Sequence, residues 1–416
     1  MPPTAKRFAF LLATALLSAP SARALIIYGT GPTDVNNDFN KITPGTNPTG
    51  TPPNGAPWAN VVKFGANNAS GVYLGHGYLL TANHAGMVSS VEINGVTYAV
   101  DTTIFPPTNS LQITDSNYVD LKLVKIVGLP PGPHVVQHLP LNFSTGDLNL
   151  DCTIIGWGVG KGAAITNKGW NWANDTTRAL RWGTNKTLSA AAAANYSGYT
   201  YEALEASFNR SLGANAAEIV AGDSGGGLFQ QFGGAWKLSG LNTIVSVQRQ
   251  ASASLYDAFA PYYSSPPVSP QSADSPDVAQ FVRIAKYAHL LRYENWAFAK
   301  LGDATAPATA DNDKDSSSNL LEYAFQSDPN TASTAALPHI GIEPGFLTLT
   351  YTKFISATDL NYVVEFTDSL SPANWQPTTV TEEVVSSVGY TVVIKAKVAL
   401  ASETQKFLRL SVTKLE

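Results

Sequence analysis

The clearest chemistry in the chain gathers around one serine. Ser224 stands in AGDSGGGLF, residues 221–229, with an acid before it and three glycines after it. Gly222, Gly225, Gly226 and Gly227 leave the backbone free for turns closed to other residues and for close approach to a ligand. A hydroxyl on such a turn, with backbone N–H groups pointing the same way, suits an acyl-transfer nucleophile beside an oxyanion hole. The same nine residues also describe a glycine-rich β-turn with a capping Asp-Ser pair, so the upstream context decides. A serine nucleophile needs a base, and the base needs an acid to orient it. In GVYLGHGYLLTANHAG, residues 71–86, an apolar strand ends at Leu80 and His84 follows at its edge, well held and able to reach solvent. His76 is the competing base, in a Gly-His-Gly setting that reads as a turn. Asp120 opens the alternating strand DLKLVKI, where Leu121, Leu123 and Val124 would tuck its carboxylate against the core. Asp115 is the alternative acid, in a solvated Ser-Asn setting.

G-D-S-G-G resembles the nucleophile motif of the trypsin/chymotrypsin-like serine proteases. Thr81-Ala82-Asn83-His84 resembles that family's T-A-A-H motif, with Asn83 for the second alanine and Ala85 for the usual cysteine. The segment opened by Asp120 is similar to its D-I-A-L-L strand, and Gly156-Trp157-Gly158 to its G-W-G segment. Residues 236–245, WKLSGLNTIV, and the stretch from Phe281 to Leu291 resemble its later strands and C-terminal helix. The resemblance covers roughly residues 25–292, with His, Asp and Ser in the family's order.

The resemblance implies a catalytic triad of His84, Asp120 and Ser224 and an oxyanion hole formed by the N–H groups of Gly222 and Ser224. It places Thr243 against the substrate backbone and Glu218 at the base of the primary pocket, where an acid favours Lys or Arg. A surface role for Glu218 is the other reading, because the pocket disulfide is missing and the chain between Val247 and Phe281 is long. Asp223 in relatives pairs with the amine of a processed N terminus, and Leu25-Ile26-Ile27-Tyr28-Gly29 looks like a variant of that terminus. The other reading is an ordinary first strand, with Asp223 bonded elsewhere. No cofactor is expected for catalysis.

These residues need strands to hold them. Between residues 25 and 292, short Val/Ile/Thr/Tyr-rich runs alternate with Gly, Pro, Asn and Asp clusters, which predicts an all-β architecture. The resemblance makes it mainly β, with two antiparallel Greek-key β-barrels of the trypsin-like type. Helix is expected over Ala190–Asn195 and Ala285–Leu301, and a surface loop over Pro261–Pro276. His134 and His138 have the spacing of a helical zinc pair, but the surrounding prolines deny them a helix.

A chain of 416 residues exceeds what one core usually organises. Hydrophobic residues make up 44% and charged residues only 14%, against about a quarter in average proteins, which fits an exported β-rich protein. Residues 1–24 carry Lys6 and Arg7, an apolar run and Ala22-Arg23-Ala24, the form of a secretory signal. Secretion, extracellular or periplasmic, is therefore expected. The net charge of −5 and the lack of a basic run argue against nucleic acid as a partner. The single cysteine, Cys152, excludes an intramolecular disulfide and reads as a small buried residue of a strand.

After an Ala/Thr/Pro linker comes DNDKDSSSNLLEYAF. Asp311, Asp313, Asp315, Ser317, Asn319 and Glu322 fill places one, three, five, seven, nine and twelve of an EF-hand-like calcium loop. Ser316 stands where the sixth place usually has glycine, and a solvated acidic linker before an N-capped helix is the plainer reading. Strand patterning returns from Leu337 to Glu416, predicting a small antiparallel β-sandwich-like domain similar to those appended to exported bacterial enzymes. It is expected to bind a cell surface or substrate, or to stabilise. The expected division is a signal (1–24), a protease domain (25–292), a linker with the calcium loop (293–336) and a β-rich accessory domain (337–416). The expected function is a secreted serine endopeptidase acting on polypeptides, after basic residues if Glu218 lines the pocket; the alternative is a non-catalytic binding or adhesion protein on a protease scaffold.

Overall fold

A computed structural model describes residues 25–31, 34, 40–65, 69–114, 118–132, 134–245, 253–256, 276–377, 380–400 and 406–415. The signal-like residues 1–24, the candidate acid Asp115 and residues 261–275 of the expected loop lie outside them.

Two seven-stranded antiparallel sheets carry the first two thirds of the chain. After β1 (Ile26–Ile27), the first sheet contains β2 (Val61–Phe64), β3 (Ala69–Gly75), β4 (Tyr78–Thr81), β5 (Ser90–Ile93), β6 (Val96–Ala99), β7 (Leu111–Thr114) and β8 (Tyr118–Lys125), in the order β6-β5-β2-β3-β4-β8-β7. Next come β9 (Asp151–Gly156), β10 (Lys161–Ile165), β11 (Gly169–Trp172), β12 (Arg181–Lys186), β13 (Ser189–Tyr196), β14 (Tyr199–Ser207) and β15 (Ala217–Glu218). They are followed by β16 (Gly227–Phe232), β17 (Ala235–Val245), β18 (Ala253–Leu255) and β19 (Val278–Arg283). The second sheet runs β12-β9-β16-β17-β19-β14-β13, with β10-β11-β18 as a small separate sheet. One buried apolar cluster joins Val62, Val72, Leu80 and Leu121 of the first sheet to Ile155, Phe229, Leu241 and Val282 of the second. Cys152 is buried in β9, as expected.

Two helix expectations need correction. Residues 189–196 form β13, hydrogen-bonded along β14. Alanine's helix propensity is a weak preference, and a neighbouring strand with open backbone groups outweighs it. In the stretch Ala285–Leu301, two 3-10 turns, Ile284–Lys286 and Ala288–Leu290, precede α1 (Tyr293–Leu301). The break falls at Arg292, which is extended (φ −144, ψ 143) and buried and gives Nη2–H to the Leu74 carbonyl at 2.6 Å.

A buried ion network ties the second sheet together. Arg283, at the end of β19, donates Nε–H to Asp147 Oδ2 at 2.9 Å and Nη1–H to Glu202 of β14 at 2.6 Å. Both Asp147 and Arg283 are buried, so each charge depends on the other.

The C-terminal third holds α2 (Asn319–Phe325) and two small sheets. Their strands are β20 (His339–Glu343), β21 (Phe346–Phe354), β22 (Leu360–Thr367), β23 (Gln376–Pro377), β24 (Thr381–Val388), β25 (Thr391–Ala399) and β26 (Phe407–Lys414). Sheets β20-β21-β25-β24 and β23-β22-β26 meet over Leu349, Tyr351, Val364, Ile394 and Leu408, a sandwich-like arrangement. The fold is mainly β, as the sequence led us to expect. Tyr293, Trp296, Tyr323 and Phe354 join α1, α2 and β21 in an aromatic cluster. Two further ties link this module to the chain before it: Ser356 Oγ–H donates to the Leu290 carbonyl at 2.7 Å, and Tyr390 Oη–H donates to the Thr114 carbonyl at 2.7 Å. Among the described residues no helix is long and apolar enough to cross a membrane.

Candidate active site

Antiparallel pairing of β4 with β8 brings the base and the acid together. Thr81 lies opposite Lys122, so the 3-10 turn Asn83–Ala85 just beyond β4 faces Asp120 near the start of β8. His84 Nδ1 lies 2.6 Å from Asp120 Oδ2, and the backbone N–H of His84 donates to Asp120 Oδ1 at 2.9 Å. Asp120 is buried, so both carboxylate oxygens are spent on holding one histidine. His84 Nε2 lies 2.9 Å from Ser224 Oγ. The three side chains form an unbroken line of hydrogen-bonding contacts. His76 instead turns the β3–β4 hairpin at φ 52, and burial pulls its imidazolium down to about 4.

Ser224 sits between β15 and β16 on a loop anchored to both sheets. Ser70 N–H of β3 donates to the Ser224 carbonyl at 2.8 Å, and Gly225 N–H donates to the Asn242 carbonyl of β17 at 2.8 Å. Gly225 has φ 86, and a Cβ there would lie 2.2 Å from the Ser70 carbonyl oxygen, so no other residue fits. Ser70 Oγ–H donates to the Gly222 carbonyl at 2.8 Å, turning that peptide. Neither the Gly222 nor the Ser224 N–H has an acceptor among the described residues, which leaves both donors for a developing oxyanion. Thr243 is buried, and its carbonyl lies 3.3 Å from Ser224 Oγ; its hydroxyl donates to the Leu241 carbonyl.

Asp223 is buried and points away from Ser224's partners. Its Oδ1 accepts from Gly158 N–H at 2.7 Å and its Oδ2 from Val220 N–H at 2.8 Å. A Cβ on Gly156 or Gly158 would come within 2.3 or 2.7 Å of this carboxylate, so the G-W-G glycines make room for it. Burial pushes the Asp223 carboxyl up to about 7, against the opposing pull of the two amides. Leu25 and Ile26 are fully buried, with Ile26 in β1 opposite Glu218 in β15 and packed in one cluster with Val220 and Tyr256. Glu218 is only 1% exposed, so it is not a surface residue.

Three positioning residues escaped the sequence reading. Ser70 clamps the nucleophile loop. Lys122 is buried beside Asp120 and gives its ammonium to the Gly86 and Asn83 carbonyls, bracing the His84 turn; burial pulls it down to about 8, with Asp120 opposing. The two-residue spacing of a strand puts Lys122 on the face of Asp120, a signal that was there to use. Tyr196 packs edge-on against the His84 ring, with centroids 4.8 Å apart. It lies one residue past Ala190–Asn195, the segment expected to be helical, and ends the strand found there instead. The six calcium-loop residues lie outside this constellation, on the segment leading into α2.

The family model described as Trypsin matches residues 47–266, more than half of the chain. No curated protein matches. Among solved structures, the chain is similar to neuropsin, a serine protease expressed in the limbic system of mouse brain, at 18% sequence identity and a TM-score of 0.36. That match covers 57% of this chain and 93% of neuropsin.

The raised Asp223 carboxyl makes the stability of the fold depend on pH. Its folded value of about 7 exceeds the ordinary 3.8, so between about 4 and 7 the folded protein holds a proton that the unfolded chain has lost. This contribution is complete below the unfolded value and is lost as pH rises through 7. Urea unfolding of the full chain from pH 4 to 8 should therefore show a fall in stability with rising pH that Asp223→Asn lacks. Parallel curves for the two proteins would contradict the assignment.

Proposed function

Because the chain belongs to the Trypsin family, we propose that it is a secreted serine endopeptidase working through Ser224, His84 and Asp120. The observation that carries this reading is the line Asp120 Oδ2, His84 Nδ1, His84 Nε2, Ser224 Oγ, with gaps of 2.6 and 2.9 Å. Ser224 Oγ attacks the peptide carbonyl while His84 Nε2 takes its proton, and Asp120 holds the resulting imidazolium through Nδ1. The carbonyl oxygen becomes an oxyanion facing the Gly222 and Ser224 N–H groups. His84 then gives its proton to the departing amine, leaving an acyl ester on Ser224. Water, deprotonated by His84, hydrolyses that ester and restores the hydroxyl. Each oxyanion donor in such a site contributes about 3 kcal/mol.

Cleavage-site mapping on a denatured protein mixture tests this, and labelling of Ser224 by a fluorophosphonate separates catalysis from a binding protein on the same scaffold. Ser224→Ala should lower kcat by about 10⁶-fold and abolish labelling. Unlabelled wild-type protein that cleaves nothing would favour the binding reading.

Two finer features belong to the proposal. Asp223 is buried on two amides, with Arg178 and Arg181 acting on it only as charges at a distance, and Ile26 packs against Val220, whose N–H holds that carboxylate. This supports removal of residues 1–24 or 1–25 on export, with the new amine pairing with Asp223. N-terminal sequencing of the exported protein should then begin at Leu25 or Ile26. The trimmed chain should also lose the acid-side gain in stability, because an ammonium beside Asp223 lowers its value. An active protein that keeps further residues ahead of Leu25 would exclude this activation.

Glu218, at 1% exposure beneath Ile26, is better placed to pack under β1 than to meet a substrate cation. We therefore expect a panel of peptides differing only at P1 to show no preference for Lys or Arg, and Glu218→Gln to leave the P1 profile unchanged. A strong basic preference that Glu218→Gln removes would restore the pocket role.

A further inference from the structure

The segment between α1 and α2 has the build of a cation site. Asp311, Asp313 and Asp315 each offer a carboxylate oxygen, and these oxygens lie within 4.8 Å of one another. The backbone at Lys314 (φ 66) and Ser316 (φ 76) is left-handed, and this coils the loop inward around the three acids. Ser316 thus adopts the conformation for which a glycine is normally chosen. Part of the loop is fastened from outside, since Asp315 Oδ2 accepts from Ser333 N–H at 2.9 Å.

A second, independent feature turns this acidic cluster into a site. Glu322, in the first turn of α2, is completely buried, yet neither of its carboxylate oxygens has a hydrogen-bond partner among the described residues. Asp313 Oδ2 is likewise buried without a partner. A buried carboxylate without a donor is costly, and the buried Asp120, Asp147, Asp223 and Asp359 by contrast all accept hydrogen bonds.

Three gathered aspartate oxygens, with the buried and donorless Glu322 carboxylate twelve places into the same loop, call for a hard cation. Oxygen-only donors, a twelve-residue loop and a carboxylate able to bind through both oxygens favour Ca²⁺ over the smaller Mg²⁺, which demands a tighter octahedron. We propose that Asp311, Asp313, Asp315 and Glu322, completed by the Ser317 carbonyl, bind one Ca²⁺ that fixes the linker to α2. The consequence is mechanical. α2 carries Tyr323 and Phe325 into the aromatic cluster shared with α1 and β21, so the ion governs how firmly the C-terminal module is seated on the chain before it.

The test uses the full chain carrying Ser224→Ala, so that self-cleavage cannot enter, and reads binding and melting rather than peptidase activity. Calorimetric titration with CaCl₂ should give one site with Kd at or below about 1 mM, the weak end for extracellular modules, and Ca²⁺ should raise Tm. MgCl₂ should bind at least about tenfold more weakly. Glu322→Gln should weaken Ca²⁺ binding at least about tenfold, because one neutral oxygen replaces a two-oxygen carboxylate. In EDTA the same substitution should raise Tm, since it removes a buried charge facing three aspartates. Ser316→Gly should tighten binding about threefold by relieving the left-handed serine. No heat and no Tm shift at about 10 mM Ca²⁺, ten times the weakest expected Kd, would overturn the proposal. So would Ca²⁺ binding unchanged in Glu322→Gln.

Discussion

The site depends on one constraint: the loop bearing Ser224 must be held by both sheets at once. Ser70 of the first sheet grips the Ser224 carbonyl, while Asn242 of the second accepts from Gly225. Between these grips the chain passes so close to the Ser70 carbonyl and the Thr81 hydroxyl that a Cβ on Gly225 has no room. Because His84 and Asp120 belong to the first sheet and the loop follows the strands of the second, the alignment of the three side chains is set by how the sheets meet. The apolar cluster running from Val62 and Leu80 to Ile155 and Leu241 fixes that meeting. Close-packed interiors transmit small displacements rather than absorbing them, so a site assembled across two sheets takes its tolerance from the core between them.

Buried acids are the second theme, and each is handled differently. Asp120 has a histidine on two of its approaches, which converts the cost of burial into orientation of the base. Asp147 is met by a buried arginine. Asp223 receives two amides, glycines that clear space around it and the charges of Arg178 and Arg181, and burial still raises it. Glu322 receives no donor among the described residues. The first two arrangements are complete within the described protein. The last two are places where an added cation, a terminal amine in one case and a metal in the other, would meet an unbalanced charge.

The C-terminal module shares more with the preceding chain than a linker. Ser356 and Tyr390 of the module bond to Leu290 and Thr114, and the ring cluster of Tyr293, Trp296, Tyr323 and Phe354 spans α1, α2 and β21. Thr114 ends β7 of the first sheet, the same sheet that carries His84 and Asp120. The seating of the module and the shape of that sheet are therefore physically connected.

Much of the site was legible in the sequence because catalytic motifs are local. Glycines fencing Ser224, a histidine just past an apolar strand and an acid opening an alternating strand all express short-range backbone requirements, and their order along the chain carried the resemblance. The β-rich class was legible for the same reason, since strand periodicity and turn residues act over a few positions. What the sequence left open involved partners far apart in the chain. Poly-alanine around 190–195 favours a helix in isolation, yet β14 offered it a hydrogen-bonded strand position, and Tyr196 at its end thereby reached His84. The roles of Ser70, of the glycines at 156 and 158 and of Glu218 exist only through contacts spanning tens of residues or more. Local preferences amount to tenths of a kcal/mol per residue, whereas a buried polar group without a partner costs several times that. The sequence by itself therefore determined which residues could do chemistry and in what kind of element. The tertiary structure decided which of them meet, because only packing determines which buried groups must find one another.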